Sequence, residues 1–484
     1  MKSFASLAIV CAAVAAVVPG YGRGLSLHES KPTVQALMVS DIHFEPFWDP
    51  DKTAKLAEAP ASEWKGILEQ PDSADREKKF ADLQDACHAR GVDSSYALFA
   101  ASLKAMHENV ADVKFVTVSG DLIAHSFTCK YQQLFPKAEP GDYRAFVEKT
   151  IGFVVTSLRE TFPHAPVYAA LGNNDSDCGD YQLDAGGQFL QDMGGFFTSD
   201  LPQPELKNIP ELERKTAAKD FAAGGYYSAA LPLHHVRILV LDDLFMARKY
   251  ATCANKPDAA AAQAQIAWMT RELERARKGK EKVWVMAHIP PGVDPYSTIT
   301  KAKGICEGKA PQMFLGSEAM ADAMAGYGDV IPLAIFAHTH MDEMRLLEPG
   351  KDDHGPVAVK MVPSISPIDG NNPSFTVATV DVETGVLVDY RVIAAADKAG
   401  SSWAEEYDYA KAYQEPSFAA GSVESVFAGF EADPAAQTEA SQNYLKNYFV
   451  GDAARELKLF WPKYVCALDN HTESSYRSCY CAGK

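Results

Sequence analysis

Val34-Gln35-Ala36-Leu37-Met38-Val39-Ser40-Asp41-Ile42-His43 is an apolar run that stops at two metal-binding side chains. Short apolar, β-branched runs ending in polar residues are what a sheet produces when its strand tips carry a site. The pattern recurs down the chain. Val113 to Ser119 stops at Gly120-Asp121, Pro166 to Leu171 at Gly172-Asn173-Asn174-Asp175, Lys282 to Ala287 at His288, and Ile331 to Ala337 at His338-Thr339-His340. In open α/β sheets ligands gather outside the carboxyl ends of the strands, so groups distant in sequence converge there. Together the segments predict a two-metal phosphoesterase site.

Asp41 and His43 alternate around Ile42, so both side chains fall on one side of the strand tip and can chelate one ion. Asp121 is expected to bridge, because a carboxylate can hold two cations at the ~4 Å separation of two-metal hydrolases. Asn173 offers an amide oxygen, and His288 and His338 offer imidazoles. His340 returns to the first ion. The expected first site is Asp41, His43, Asp121 and His340, and the second Asp121, Asn173, His288 and His338. Nitrogen and oxygen donors without thiolate suit zinc, manganese or iron, and export favours zinc by availability. Such ions bring a bound water to near-neutral pKa for in-line attack on phosphorus. His125 is the candidate general acid, one turn beyond Asp121 if a helix begins there. Asp175 and Asp177 read first as turn formers.

The 484 residues are 47% hydrophobic and 23% charged, an ordinary globular balance. A net charge of −18 with no block of Lys or Arg argues against nucleic acid or an anionic membrane as partner. Met1-Lys2, the apolar run Ala5 to Val18 and the small residues around Gly20 to Gly24 make a secretory signal over residues 1–24. The run is shorter than the ~20 residues of a spanning helix, so no stable membrane insertion is expected. Ala8-Ile9-Val10 before Cys11 is a poor lipoprotein signal. The destination is outside the cell, the periplasm, or a vacuolar or lysosomal lumen.

Without Cys11, eight of the nine cysteines remain, an even number that suggests disulfides in an exported chain. Two pairings have a rationale: Cys253 with Cys306 around the His288 strand, and Cys466 with Cys479 or Cys481 at the terminus. Cys479-Tyr480-Cys481 is too tight for a structural zinc pair. Residues Phe44 to about Asp93 read as a long insertion after the first site strand. Helices are expected at Ser94 to Val110, Asp142 to Thr161 and Ala259 to Arg277, alternating with the site strands as in an α/β fold. Val357 to Val362, Phe375 to Val382 and Val386 to Ile393 read as consecutive strands, completing a double-sheet sandwich. The catalytic domain is expected over 33–396, and a helical, cysteine-containing C-terminal appendage over 397–484.

The site segments resemble the calcineurin-like metallophosphoesterase superfamily, whose pattern runs D-x-H, G-D, G-N-H-D/E, H and G-H-x-H. The resemblance implies a four-layer α/β/β/α sandwich with a dinuclear site at its edge. Gly120-Asp121 followed by His125, Gln265-x-x-Trp268, His288-Ile289-Pro290-Pro291-Gly292, and Pro363-Ser364-Ile365-Ser366-Pro367 leading to Asn372-Pro373-Ser374-Phe375 are similar to the acid sphingomyelinase-like branch. That branch implies secreted or lysosome-like enzymes that hydrolyse phosphodiesters with zinc. Three departures stand out. Asn174 occupies the position of a catalytic histidine and cannot deliver a proton, Ala337 replaces a glycine, and no saposin domain precedes the catalytic domain.

The leading expectation is a secreted, dinuclear phosphodiesterase of small molecules. Its enzyme alternative is a nucleotide phosphohydrolase or endopolyphosphatase, because an anhydride's phosphate leaving group needs no proton and Gly172-Asn173-Asn174-Asp175 resembles the endopolyphosphatase turn. The alternative of another class is a catalytically idle protein that binds phosphorylated ligands.

Overall fold

The computed structural model describes residues 32–110, 112–198, 211–301, 303–349, 354–451 and 455–482. The secretory signal and Cys11 lie outside them. Among the described residues twelve strands form two six-stranded sheets. The first holds β1 (Thr33–Val39), β2 (Val113–Val118) and β3 (Val167–Ala169) in parallel. The second is built on β4 (Tyr227–Ala230), β5 (Val236–Val240), β6 (Lys282–Met286), β7 (Leu333–Phe336), β8 (Glu343–Leu347) and β9 (Val357–Met361). The chain then returns to the first sheet through β10 (Ser374–Asp381), β11 (Leu387–Ala395) and β12 (Trp403–Asp408). The expected closing strands are thus divided between the sheets.

Register brings the site strands level. Val39 pairs with Val118, which pairs with Ala169, so β1, β2 and β3 end in one row. In the second sheet Met286 pairs with Ile335, which ends β6 and β7 together. Each row is followed within a few residues by the predicted site side chains.

Alternation on β6 supplies both faces of its sheet. Trp284 and Met286 enter the core between the sheets, where Trp284 meets Phe115 of β2 edge-on at 5.5 Å. Val283 and Val285 face the other way, onto Trp268, Met269 and Leu273 of the helix Ala260–Gly279. On the first sheet, the helices Tyr96–Asn109 and Pro140–Thr161 contribute Phe99, Met106, Ile151 and Val154 to the larger core. Ser95 caps the first of these through its side chain, and a Glu139/Asp142 capping box starts the second. The four layers are those expected.

The insertion after Phe44 is not loop throughout. It folds into the helices Pro50–Glu58, Trp64–Leu68 and Arg76–Ala86. Single buried anchors such as Leu56, Trp64, Phe80 and Leu83 hold these short helices, too few for a clear sequence period. Beyond β12 the chain is helical from Tyr409 and packs an aromatic cluster against the second sheet, where the Tyr464 hydroxyl donates to Glu343 of β8 at 3.0 Å.

The disulfides are Cys87–Cys129, Cys178–Cys253, Cys306–Cys481 and Cys466–Cys479. The Cys466–Cys479 expectation holds. Cys253 does not pair with Cys306: it ties the Asn173 turn instead, and Cys306 reaches the C-terminus.

Candidate metal centre

The loops that follow the level strand ends turn sharply. Asp41, His43, Asp121, His338 and His340 all adopt positive φ, between 43° and 71°. Backbone held in this region costs free energy and collects at functional sites. Gly120 and Gly172 permit the closest approach. A Cβ on Gly172 would lie 2.1 Å from Asp121 Oδ1, and one on Gly120 would lie 2.8 Å from His288 Nδ1.

The predicted residues converge. His43 Nε2 lies 3.7 Å from Asp41 Oδ1, 3.5 Å from Asp121 Oδ2 and 3.2 Å from His340 Nε2. His340 Nε2 is 3.4 Å from Asp41 Oδ1. On the other side of Asp121, His288 Nε2 is 3.2 Å from Oδ2 and 3.3 Å from His338 Nδ1. Donor atoms each about 2.0–2.1 Å from a shared tetrahedral zinc stand at such separations. The groupings Asp41, His43, Asp121 and Asp121, His288, His338 share the carboxylate of Asp121, and His43, His125, His340 form a third beside them.

Buried atoms without hydrogen-bond partners mark where a cation belongs. Both oxygens of Asp41 and the Oδ1 of Asn173 are in this state. Asn173 is oriented for it, because its Nδ2 donates to Asp180 Oδ1 at 2.8 Å. The imidazoles are oriented likewise: His43 Nδ1 pairs with the Ile123 carbonyl at 3.0 Å and His288 Nδ1 with the Ser119 carbonyl at 2.8 Å. Each therefore turns its Nε2 inward, as outer partners of metal-binding histidines do. The donor set fits divalent metal ions.

The calcineurin-like phosphoesterase model matches residues 35–342, which include every one of these side chains. The chain belongs to the calcineurin-like phosphoesterase family. Among relatives, it is 24% identical to the cyclic GMP-AMP phosphodiesterase SMPDL3A of Mus musculus over 481 residues, 95% of each chain. It is 26% identical to the acid sphingomyelinase-like phosphodiesterase 3b of Homo sapiens over 81% of each chain. With the sphingomyelinase phosphodiesterase C of Dictyostelium discoideum it shares 24% over 62% of this chain and 61% of that one. It is a phosphoric ester hydrolase.

Charge in this phosphoesterase is balanced inside the cluster. Burial opposes the imidazolium of His43 and His288, but the surrounding carboxylates, Asp121 foremost with Asp41, Asp93 and Asp243, together outweigh it and raise them to about 9 and about 10. Burial and the charge of His288 push His338 down to about 3. Burial also opposes ionisation of Asp121, yet His288 and His43 hold it well below the usual carboxylate range.

His125 is present but not on a helical turn. The backbone at Ile123 bridges Phe44, and the helix starts only at Phe127. Its ring stacks on His43 at 4.0 Å, and its Nδ1 faces the Asp93 carboxylate at 3.1 Å. Asp93, buried at the end of the insertion, also accepts from the His125 backbone N–H at 2.8 Å and from Ser366 Oγ at 2.8 Å. Asn174 donates from its backbone N–H and its Nδ2 to the two oxygens of Asp121, each at 2.9 Å. Asp175 accepts from the backbone N–H groups of Leu122, Ile123 and Gly172, which locks the Asp121 and Asn173 turns together. Asp177 stands apart from the cluster, beside the Cys178–Cys253 bridge.

Sequence reasoning missed Asp93, Asp180, Tyr181 and Asp243. Tyr181 places its hydroxyl 3.2 Å from His338 Nε2. Asp243 accepts from the backbone N–H groups of His288 and Ile289, and burial raises it to about 7. Asp242-Asp243 carried a usable signal, being carboxylates at the end of the strand Val236–Val240. Asp93 carried none, because its partner is thirty-two residues away.

Proposed function

We propose that this phosphoesterase is an exported, dinuclear phosphodiesterase acting on small molecules, with zinc as its working metal. The observation that carries the reading is the single carboxylate of Asp121 shared between two groups of candidate ligands. Asp41, His43, Asp121 and His340 would hold one ion, and Asp121, Asn173, His288 and His338 the other. Bound there, divalent ions supply Lewis acidity toward a phosphoryl oxygen and acidify a water for attack on phosphorus.

The chain's own residues do the rest. Asn174 fixes both oxygens of Asp121 by its two hydrogen bonds, and being neutral it delivers no proton. Asp93 holds the Nδ1 edge of His125, leaving Nε2 as the nitrogen that can protonate a departing alkoxide. The His125 side chain is 34% exposed, so a substrate can reach it. Export is supported by the four disulfides. No helix among the described residues is long and apolar enough to cross a membrane.

The test is hydrolysis of bis-p-nitrophenyl phosphate by the purified mature chain, before and after chelation and with zinc or manganese restored. Activity that chelation abolishes, metal restores and Asp121→Ala eliminates is the expected result. No hydrolysis of the diester or of ATP with two metals bound per chain would instead favour a binding protein for phosphorylated ligands or a very selective enzyme.

A further inference from the structure

Beside the cluster the fold places a cation on an aromatic ring. The Tyr181 ring stands edge-on to the half-buried His338, with its hydroxyl at 3.2 Å from Nε2. The ammonium of the exposed Lys249 lies 4.8 Å from the centre of that same ring. Tyr181 thus connects a candidate metal ligand to a fixed positive charge.

The loop that carries Lys249 is tied on both sides. Arg248 N donates to the Phe314 carbonyl at 3.3 Å, and Gly316 N to the Met246 carbonyl at 2.8 Å. Ala251 N donates to the Tyr181 carbonyl at 3.0 Å, and Leu183 N to the Ala251 carbonyl at 3.2 Å. Two residues further on, Cys253 is bonded to Cys178 of the Asn173 turn. The backbone under Lys249 is therefore set by the same turn that sets Asn173.

The charges nearby are already engaged. Arg248 donates to Gln312 Oε1 at 2.8 Å. Asp180, which feels the charge of Lys249, accepts from Asn173. Among the described residues no carboxylate oxygen comes within 4.0 Å of the Lys249 ammonium. In a chain of net charge −18, a cation so placed beside the centre can serve an incoming anion.

We propose that Lys249, carried on the face of Tyr181, binds a second anionic group of the substrate, adjacent to the phosphoryl group held at the Asp121 cluster. The proposal rests on the phosphoesterase reading of that cluster and narrows its substrate class. Molecules with neighbouring phosphates, such as nucleoside triphosphates or linear polyphosphate, gain a charge-assisted contact there. A headgroup with a quaternary ammonium beside its phosphate meets a like charge instead.

The experiment compares kcat/KM for ATP and for bis-p-nitrophenyl phosphate in the metal-loaded wild-type enzyme, Lys249→Met and Lys249→Arg. The methionine keeps the unbranched stem over Tyr181 and removes the charge. The ratio of ATP to diester should fall about tenfold or more in Lys249→Met, through KM for ATP, and recover in Lys249→Arg. An unchanged ratio, or equal losses on both substrates, would overturn the proposal, as would a wild-type enzyme that cleaves the diester and not ATP. If the wild type cleaves neither, the phosphoesterase reading fails first, and Lys249 is then judged by calorimetric binding of inorganic tripolyphosphate. Binding about tenfold weaker in Lys249→Met supports the assignment, and equal or undetectable binding in both proteins rejects it.

Discussion

Two imidazoles beside Asp121 make metal loading a proton-exchange reaction. His43 and His288, raised to about 9 and about 10, carry protons at pH 7 in the metal-free cluster, and a metal accepts only the neutral imidazole. Loading at pH 7 therefore expels both protons, and affinity falls as pH is lowered from about 10. Calorimetry in buffers of different ionisation enthalpy should find proton release approaching two per chain, declining above pH 9 as these groups lose their protons beforehand. The Asp93–His125 pair makes a separate prediction. His125→Ala should lower kcat by about a hundredfold or more for substrates with alkoxide leaving groups, and much less for p-nitrophenyl esters, whose leaving group needs no proton. Equal losses on both would assign His125 a packing role over His43. His125 was legible because it stands close to Gly120-Asp121, whereas Asp93 was not, because only the folded insertion brings its carboxylate there.

At the scale of elements, the close approach of two turns carries the centre. Gly172 sits where any side chain would strike the Asp121 carboxylate, with a Cβ only 2.1 Å from Oδ1. Gly172→Ala should fold with an unchanged far-UV spectrum and lose metal, measured by elemental analysis, and with it activity. Retention of two metals per chain would show that the turn can yield. The strands before these turns were readable from short apolar runs, and their observed limits lie within about two residues of those expected. The helices of the insertion were not, since each is short and held by one or two buried apolar side chains.

The whole molecule depends on charge buried where the C-terminal region meets the second sheet. Lys360 of β9 is fully buried, paired with Asp342 and bonded to the Met361 carbonyl at 2.6 Å. The hydroxyl of Tyr407, on β12 of the other sheet, also donates to Asp342. Removing one partner of a buried pair leaves an uncompensated charge, so Asp342→Ala should cost about 3–5 kcal/mol in denaturant unfolding. A loss under about 1 kcal/mol would mean that water reaches Lys360.

The sequence by itself determined the chemistry of this protein. Strand runs ending in oxygen and nitrogen donors are local patterns, and local patterns survive in one dimension. The family, the layered fold and the residues that converge all follow from them. Only the tertiary structure decided what depends on distant segments meeting: the disulfide partners of Cys253 and Cys306, the grip of Asp93 on His125, and Lys249 over the Tyr181 ring. Those meetings are set by packing of the sheets and by short helices whose anchors are single side chains, so no spacing along the chain encodes them.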